Sequence, residues 1–488
     1  MEDMAYNVVA VDLGSTSGRV YRVSFDGRKL YLSEIHRFSN GPVVTSGSVA
    51  WNLYRIIDSA LMGLRKALEM SNVISVAIDS WGVDFGVFTV SGECSGVVSC
   101  YRNPKNEEYV QHIRRKVPES LVYKNTGIPI SGINTSTQLV RMLDNHEVVE
   151  GRVLFIAGIL ANKLCGSWAV ERSIASTTQL YNQHIGEWDG ALVSALGIRD
   201  IILPDIVTPG SVLGELTIPE QRTRAKVISG LEHDTQAATF CLGPDSEELF
   251  ICSGTWSLVG TTLSRPVLSE AAMNAKWSNE RGFWGIDFLK NLPGMWIMER
   301  LFSEMSMPRE GLDDIILKAA ASDKFQFLFD ITDPRFFSPS SMISELKHYA
   351  KEMDLALPDE IPVLYRSFLE SLVMTYKDAI REMIELTGEI PKNVRLMGGG
   401  AKNRLLAKMI ADATGLPVVR GPAEASVVGN ALVQLVANGL VDASDVSAVA
   451  SSVGELEVVE PSPSEKQIWD DMYDKYWTKR YRIEGYHG

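Results

Sequence analysis

The chain opens on an apolar run, Val8 to Val11, that stops on Asp12 and gives way to a glycine-bracketed loop, Gly14-Ser15-Thr16-Ser17-Gly18. A continuous apolar run marks a strand buried on both faces. Beyond the loop, "RVYRVSF" alternates apolar and polar positions as a half-buried strand does, and "LYLSEIHRF" makes a third strand after a turn at Gly27. The period then changes. In "WNLYRIIDSALMGLRKALEM" the apolar residues Ile56, Ile57, Ala60, Leu61, Leu64 and Leu68 recur at helical spacing, with Asn52 placed to cap the first turn. "VISVAID" is again a continuous apolar run, a central strand, and "SWGVDFGVF" leads onward from it.

The same opening recurs near position 250, where "LFICSGTWSLVGTTL" reads as a strand, a Ser-Gly-Thr loop and a second strand. Downstream come a long helix, "PVLYRSFLESLVMTYKDAIREMIELTG", and an apolar strand, "NVRLMGGG". A helix closed by Gly415, the short strand "PVVR" and the helix "ASVVGNALVQLVANG" follow. The two halves share an order of elements, not a long sequence identity. Two α/β halves, each opening on a hairpin with a Gly/Ser/Thr turn, suit a ligand gripped between two lobes. The seam is expected near Ser229. That gives an N-terminal domain over residues 1–229, a C-terminal domain over 230–462 and a terminal helix over 463–488.

Composition narrows the class. At 488 residues the chain exceeds the size at which one core stops growing. A formal net charge of −14 argues against nucleic acid or an anionic membrane as partner. A phosphate-bearing small molecule stays open, because backbone N–H groups bind it without net positive charge. Five scattered cysteines without CxxC spacing read as reduced thiols of a cytosolic protein, not as a metal cluster or disulfide framework. "MEDMAYN" has no basic n-region, and the apolar stretch "VLFIAGILANKLCG" is broken by Asn162 and Lys163. A cytoplasmic protein without signal peptide or membrane span is therefore expected, working as a monomer or small homo-oligomer.

Three loops carry candidate chemistry. In the first, glycines and small hydroxyl residues leave N–H groups exposed to phosphate oxygens, and Asp12 at the strand end would face a cation such as Mg²⁺. Ser253-Gly254-Thr255-Trp256-Ser257 follows the same logic, and Gly398 to Gly400 would let a ligand approach backbone where no Cβ intrudes. Each loop taken alone is equally a plain turn. None is a P-loop, and no GxGxxG with a distal acid is present. Likewise Asp234, in "SGLEHDTQAA", is on spacing alone as well read as a helix N-cap as a general base.

"VAVDLGSTSGR", "IDSWGVDF", "HDT", "SGTWSL" and "MGGGAKN" occur in the order found in the FGGY carbohydrate kinases of the actin/hexokinase superfamily, which the chain resembles from Val8 to about Leu435. The resemblance implies two actin-like, ribonuclease-H-like α/β domains with an active-site cleft between them. It implies transfer of the γ-phosphoryl group of ATP, with Mg²⁺, to a sugar hydroxyl. "SEIHRFSNGPV", "TTQLYN", "EHDTQAA" and "GPAEASVVGNAL" resemble most the members that phosphorylate the C1 hydroxyl of L-rhamnulose. Members acting on L-fuculose are the nearest alternative, and a non-catalytic actin-like nucleotide binder is the alternative from another class. By the same resemblance Asp234 is the proton acceptor, and Gly82, His233, Thr235 and Asn291 hold the sugar. Ser15, Thr16, Ser17, Gly18, Arg19 and Thr255 meet the ATP phosphates, and Gly399 lies against the adenosine. Glu299 falls at a further ATP-side position, and Asp12 anchors Mg²⁺.

Overall fold

A computed structural model of the chain describes residues 6–478 except 46–47, 70–71, 220–222, 245, 308–310, 338 and 455. It divides into two units. The first takes residues 1–246, 262–288 and 425–455; the second takes 247–261, 289–424 and 456–488.

The first unit is organised by the strand Tyr6–Leu13, in which Val8, Val9, Ala10, Val11 and Leu13 are fully buried. It pairs antiparallel with Ser17–Phe25 and parallel with Val73–Ser80. Leu30–Ser39 extends one edge, and Lys226–Ile228 with Val212–Glu215 extends the other, making six strands. Because successive side chains leave a strand on opposite faces, Val9 and Val11 go to one layer and Val8 and Ala10 to the other. The Val9 side packs against the helix Leu53–Leu68, whose Asn52 cap accepts a hydrogen bond from the Arg55 N–H at 3.1 Å. The Val8 side packs against the helices Asp234–Phe240 and Ala425–Ala437. These two helices cross at Gly429, where a Cβ would stand 1.7 Å from the carbonyl oxygen of Ala237. A smaller sheet in the order Ile201–Ile202, Gly151–Phe155, Phe85–Phe88, Cys94–Val98 completes the unit with its own core.

The second unit repeats the opening. Glu248–Ser253 pairs antiparallel with Trp256–Leu263 and parallel with Asn393–Met397, after which come Val418–Arg420 and Glu457–Val459. The 27-residue helix Ile361–Thr387, entered through Pro362 and closed by Gly388 in the left-handed conformation, is its longest element. The predicted terminal helix is present as Pro463–Met472, continued by one wider turn to Trp477. Trp469, Tyr473 and Trp477 are buried, and Asp470 accepts from the buried Lys377 ammonium at 2.6 Å. The rest of the expected 463–488 helix lies outside the described residues.

Candidate active site

In the first unit two parallel strands end side by side, at Leu13 and Ser80, and a third, Lys226–Ile228, stops short of them. The chain beyond the third returns to the same end: the Ser80 N–H donates to the Glu232 carbonyl at 2.8 Å, and the Trp81 N–H to the Leu13 carbonyl at 3.3 Å. The carboxyl ends of parallel strands are where α/β sheets bind ligands. Here they bring together Asp12, Asp79, Gly82 and the segment Glu232–Thr235.

Asp12 is buried at the base of the hydroxyl loop, where Arg19, its partner across the antiparallel ladder, donates to Oδ2. The Ser426 hydroxyl donates to the same oxygen at 2.7 Å. The loop is tied by Gly14 N–H to the Ser17 carbonyl at 3.0 Å and by Asn40 Nδ2 to the Gly14 carbonyl at 2.9 Å. Thr16 is exposed and Ser15 and Ser17 half-buried, whereas Gly18 is buried against Phe38, whose ring a Cβ there would meet at 2.1 Å. Gly18 thus serves packing, and the Arg19 head group is already engaged by Asp12.

Asp79 lies opposite Asp12 in the parallel ladder. Its Oδ2 accepts from Asn430 at 2.6 Å, while Oδ1 is buried without a partner. Burial, and next the charge of Asp12, hold its carboxyl well above the usual carboxylate range.

Gly82 sits in a tight turn. A Cβ on it would meet the Thr177 hydroxyl oxygen at 3.0 Å. The next residue, Val83, has φ +66°, a region β-branched residues rarely enter. Thr135 donates to its carbonyl at 2.7 Å and its N–H reaches the Thr177 hydroxyl at 3.3 Å. Trp81 is buried against Trp51 with ring centroids 4.4 Å apart. Both indoles donate to Asp84 Oδ2, at 3.0 and 2.6 Å, and burial raises that carboxyl to about 6.

Asp234 opens the helix Asp234–Phe240 and keeps one third of its side chain exposed. Burial of its surroundings raises its pKa, the charge of His233 lowers it, and that of Asp12 raises it again. His233 Nε2 lies 3.6 Å from Asp234 Oδ1, and its Nδ1 lies 3.1 Å from Glu280 Oε2. Burial alone would lower the His233 pKa; the facing Glu280 carboxylate, and then the charge of Asp234, reverse this and lift it to about 9. Behind this segment a second acidic pair is locked in the core. The Glu171 N–H donates to Glu232 Oε2 at 3.1 Å, and the Glu232 N–H to Glu171 Oε2 at 3.3 Å.

The second unit carries Thr255, Asn291, Glu299 and Gly399. The Ser253–Trp256 turn is pinned by the Met295 N–H to the Gly254 carbonyl at 2.8 Å and by the Trp296 N–H to the Thr255 carbonyl at 3.2 Å. The Thr255 hydroxyl points to the exposed Glu299 carboxylate at 3.5 Å. Gly398 and Gly400 are required by contact with Ser253, since a Cβ would meet its carbonyl oxygen at 2.8 Å and its hydroxyl at 2.4 Å. Gly399 between them is exposed, with nothing within 4 Å of its Cβ position. Asn291 is exposed on the strand Ile286–Pro293. Glu280, Asp79 and the Glu171–Glu232 pair escaped the sequence reading: Glu280 and Glu171 stand in no motif, Asp79 and Glu232 stand inside motifs without a role of their own there, and each gains its meaning from a partner far along the chain.

Two α/β units of this strand order, each with its glycine or hydroxyl loop at a strand end, define the two-domain actin-like, ribonuclease-H-like fold. Solved structures agree: gluconate kinase from Lactobacillus acidophilus matches with TM-score 0.82 at 16% identity over 99% of both chains. Glycerol kinase from Plasmodium falciparum, solved with ADP, matches with TM-score 0.73 at 14% identity over 99% of both. Residues 7–241 and 249–438 match the N- and C-terminal domains of the FGGY family of carbohydrate kinases, and the chain belongs to that family. It is an ATP-dependent sugar kinase. Among curated proteins it is 34% identical over 440 residues to the rhamnulokinase of Mannheimia succiniciproducens, covering 88% of this chain and 90% of that one. No helix among the described residues is long and apolar enough to cross a membrane.

Proposed function

We propose that the sugar is L-rhamnulose and that Asp234 is the base. The C1 oxygen forms a bond to the γ-phosphorus of ATP as the bond from that phosphorus to the β–γ bridging oxygen breaks, and ADP leaves. The hydroxyl proton passes to Asp234. Phosphoryl transfer asks the protein mainly for positioning and charge neutralisation, so one ionised carboxylate at the attacking hydroxyl suffices as acceptor. The observation that carries the reading is the setting of Asp234: a partly open carboxylate beside the carboxyl end of the parallel strand Val73–Ser80, which the preceding His233 bridges, next to a cationic histidine. On the sugar side stand Gly82, His233, Thr235 and Asn291; the loop 15–19, Thr255, Glu299 and Gly399 serve the nucleotide.

Mg²⁺ fits the residues present. Among the described residues no cluster of three or more acidic, His or Cys side chains forms a cage, and Mg²⁺ bound through phosphates and water needs only one or two carboxylates. The Asp12 carboxylate and the unpartnered Asp79 Oδ1 are the groups that would hold it or its water. Bound there, the ion would neutralise phosphate charge.

The 34% identity to a rhamnulokinase supports L-rhamnulose over the sugars of the structural relatives, which are far more distant in sequence. Initial rates of ADP release on L-rhamnulose, L-fuculose, L-ribulose, D-xylulose and glycerol test this, with L-rhamnulose expected to give the highest kcat/KM. Asp234→Asn is expected to keep nucleotide affinity and lower kcat by roughly 10³-fold, within the usual range for general-base loss. Undiminished turnover would remove Asp234 from the role.

A further inference from the structure

Glu280 lies far along the chain from the segment it touches. It is 5% exposed on the strand Ser278–Arg281, and its Oε2 receives Gln236 Nε2 at 2.9 Å, a donor one turn into the helix that Asp234 begins. The same oxygen faces His233 Nδ1 at 3.1 Å. On the other side of the imidazole, Nε2 faces Asp234 Oδ1 at 3.6 Å, and the Thr235 hydroxyl also reaches Oδ1, at 3.3 Å. Both of these side-chain neighbours of the base fall on one oxygen, Oδ1. The result is a row of alternating charge: carboxylate, imidazole, carboxylate.

We infer that Glu280 is a positioning residue for proton transfer: through His233 it holds an imidazolium against Oδ1 of Asp234, keeping that carboxylate ionised and Oδ2 the oxygen that takes the hydroxyl proton. This rests on Asp234 being the base. The arrangement has a clear task, because Asp234 stands among acids. Asp12 and Asp79 act on it from the ends of the neighbouring strands, and Asp287 on the strand Ile286–Pro293 faces His233 from the Glu280 side. Burial and the neighbouring acids push its carboxyl toward the protonated form, and a cation beside it opposes that shift. Glu280 supplies the cation indirectly: it keeps a proton on a buried histidine that burial would otherwise strip. A carboxylate directly beside Asp234 would only add to the repulsion.

The test is the pH dependence of kcat, with histidine NMR as a second readout. In Glu280→Gln, which preserves shape and a hydrogen-bonding oxygen, His233 becomes neutral at pH 7. The acid limb of kcat is then expected to move up by at least about one pH unit, an effect of the size one lost ion pair gives. The deficit at pH 7 should be roughly tenfold and should shrink at pH 9, with KM for ATP unchanged. The His233 ring resonance, assigned by its loss in His233→Gln, should report imidazolium at pH 7 in the wild type and neutral imidazole in Glu280→Gln. A uniform loss of kcat at every pH, or a neutral His233 ring in the wild type, would overturn the inference. Asp234→Asn measured in parallel separates the two claims: if it turns over normally, the assignment of the base has failed; if it is dead while Glu280→Gln shows no limb shift, only the role of Glu280 has failed.

Discussion

The crossing at Gly429 converts a single methyl group into a catalytic perturbation. In Gly429→Ala the new Cβ would stand 1.7 Å from the Ala237 carbonyl oxygen, about half the 3.4 Å at which ordinary contact begins. The obstacle is helical backbone, which cannot rotate away as a side chain does. The helices must part by roughly 1.7 Å or the unit must unfold locally. Overpacking a core costs about 1–3 kcal/mol, and a backbone clash belongs at the top of that range. At about 2–4 °C per kcal/mol, a fall in Tm of roughly 6–12 °C is expected. The helix that moves carries Asp234 at its first position, and a 1 Å misplacement of a reacting group costs on the order of 10²-fold in rate. Differential scanning fluorimetry and a coupled ADP-release assay on the folded variant measure the two effects separately. Gly190→Ala, where nothing lies within 4 Å, is the control and should leave both near wild type. A Gly429→Ala enzyme with unchanged Tm and kcat would show that the helices do not pack this closely, and would refute the reasoning.

Two further outcomes follow from the geometry. Burial raises Glu171 to about 7, and burial together with the Glu171 charge raises Glu232 to about 8, both from an ordinary 4.5. Folded-state pKa values above the unfolded ones mean that the stability they contribute is complete below about 4.5 and is lost as pH rises through 7 to 8; Glu171→Gln should therefore flatten the decline in Tm between pH 6 and 9, and an unchanged slope would count against a shared buried proton. Around Gly399 the three glycines should separate by role: Gly400→Ala lowers Tm by contact with Ser253, whereas Gly399→Val leaves Tm intact and raises KM for ATP several-fold, which thermal melts and ATP titrations check.

How much of this was legible in the linear pattern depends on how local each cause is. The opening strands were legible because Val8–Val11 and Val76–Ile78 are apolar on both faces, which only a central strand demands. The helix over Leu53–Leu68 was legible because its stripe and its Asn52 cap are set within one turn. Asp234 could be placed at a helix start by spacing, but its electrostatic setting could not. That comes from His233, which faces Glu280 on a strand with no distinguishing residue pattern, and from Asp12, on a strand far back in the chain. Trp81 is buried as an aromatic at a strand end commonly is, but its indole bond to Asp84 is a pairing no periodicity reveals. The interleaving of the chain between the two units has no local signature either.

That interleaving reaches into biosynthesis. Gln434 Nε2 donates to the Val9 carbonyl at 3.0 Å across 425 positions of sequence, and Asn430 closes on Asp79 in the same way. At about 5–20 residues per second of translation, roughly 20–85 s separate the emergence of the first strand from that of the helix that covers it. For that interval the face bearing Val8, Ala10, Tyr21 and Val23 lacks the helix Ala425–Ala437, one of the two that cover it, on a ribosome-bound chain. Yield, more than final stability, is then decided by how well nascent-chain chaperones shield that face, and slow expression at low temperature favours the soluble product.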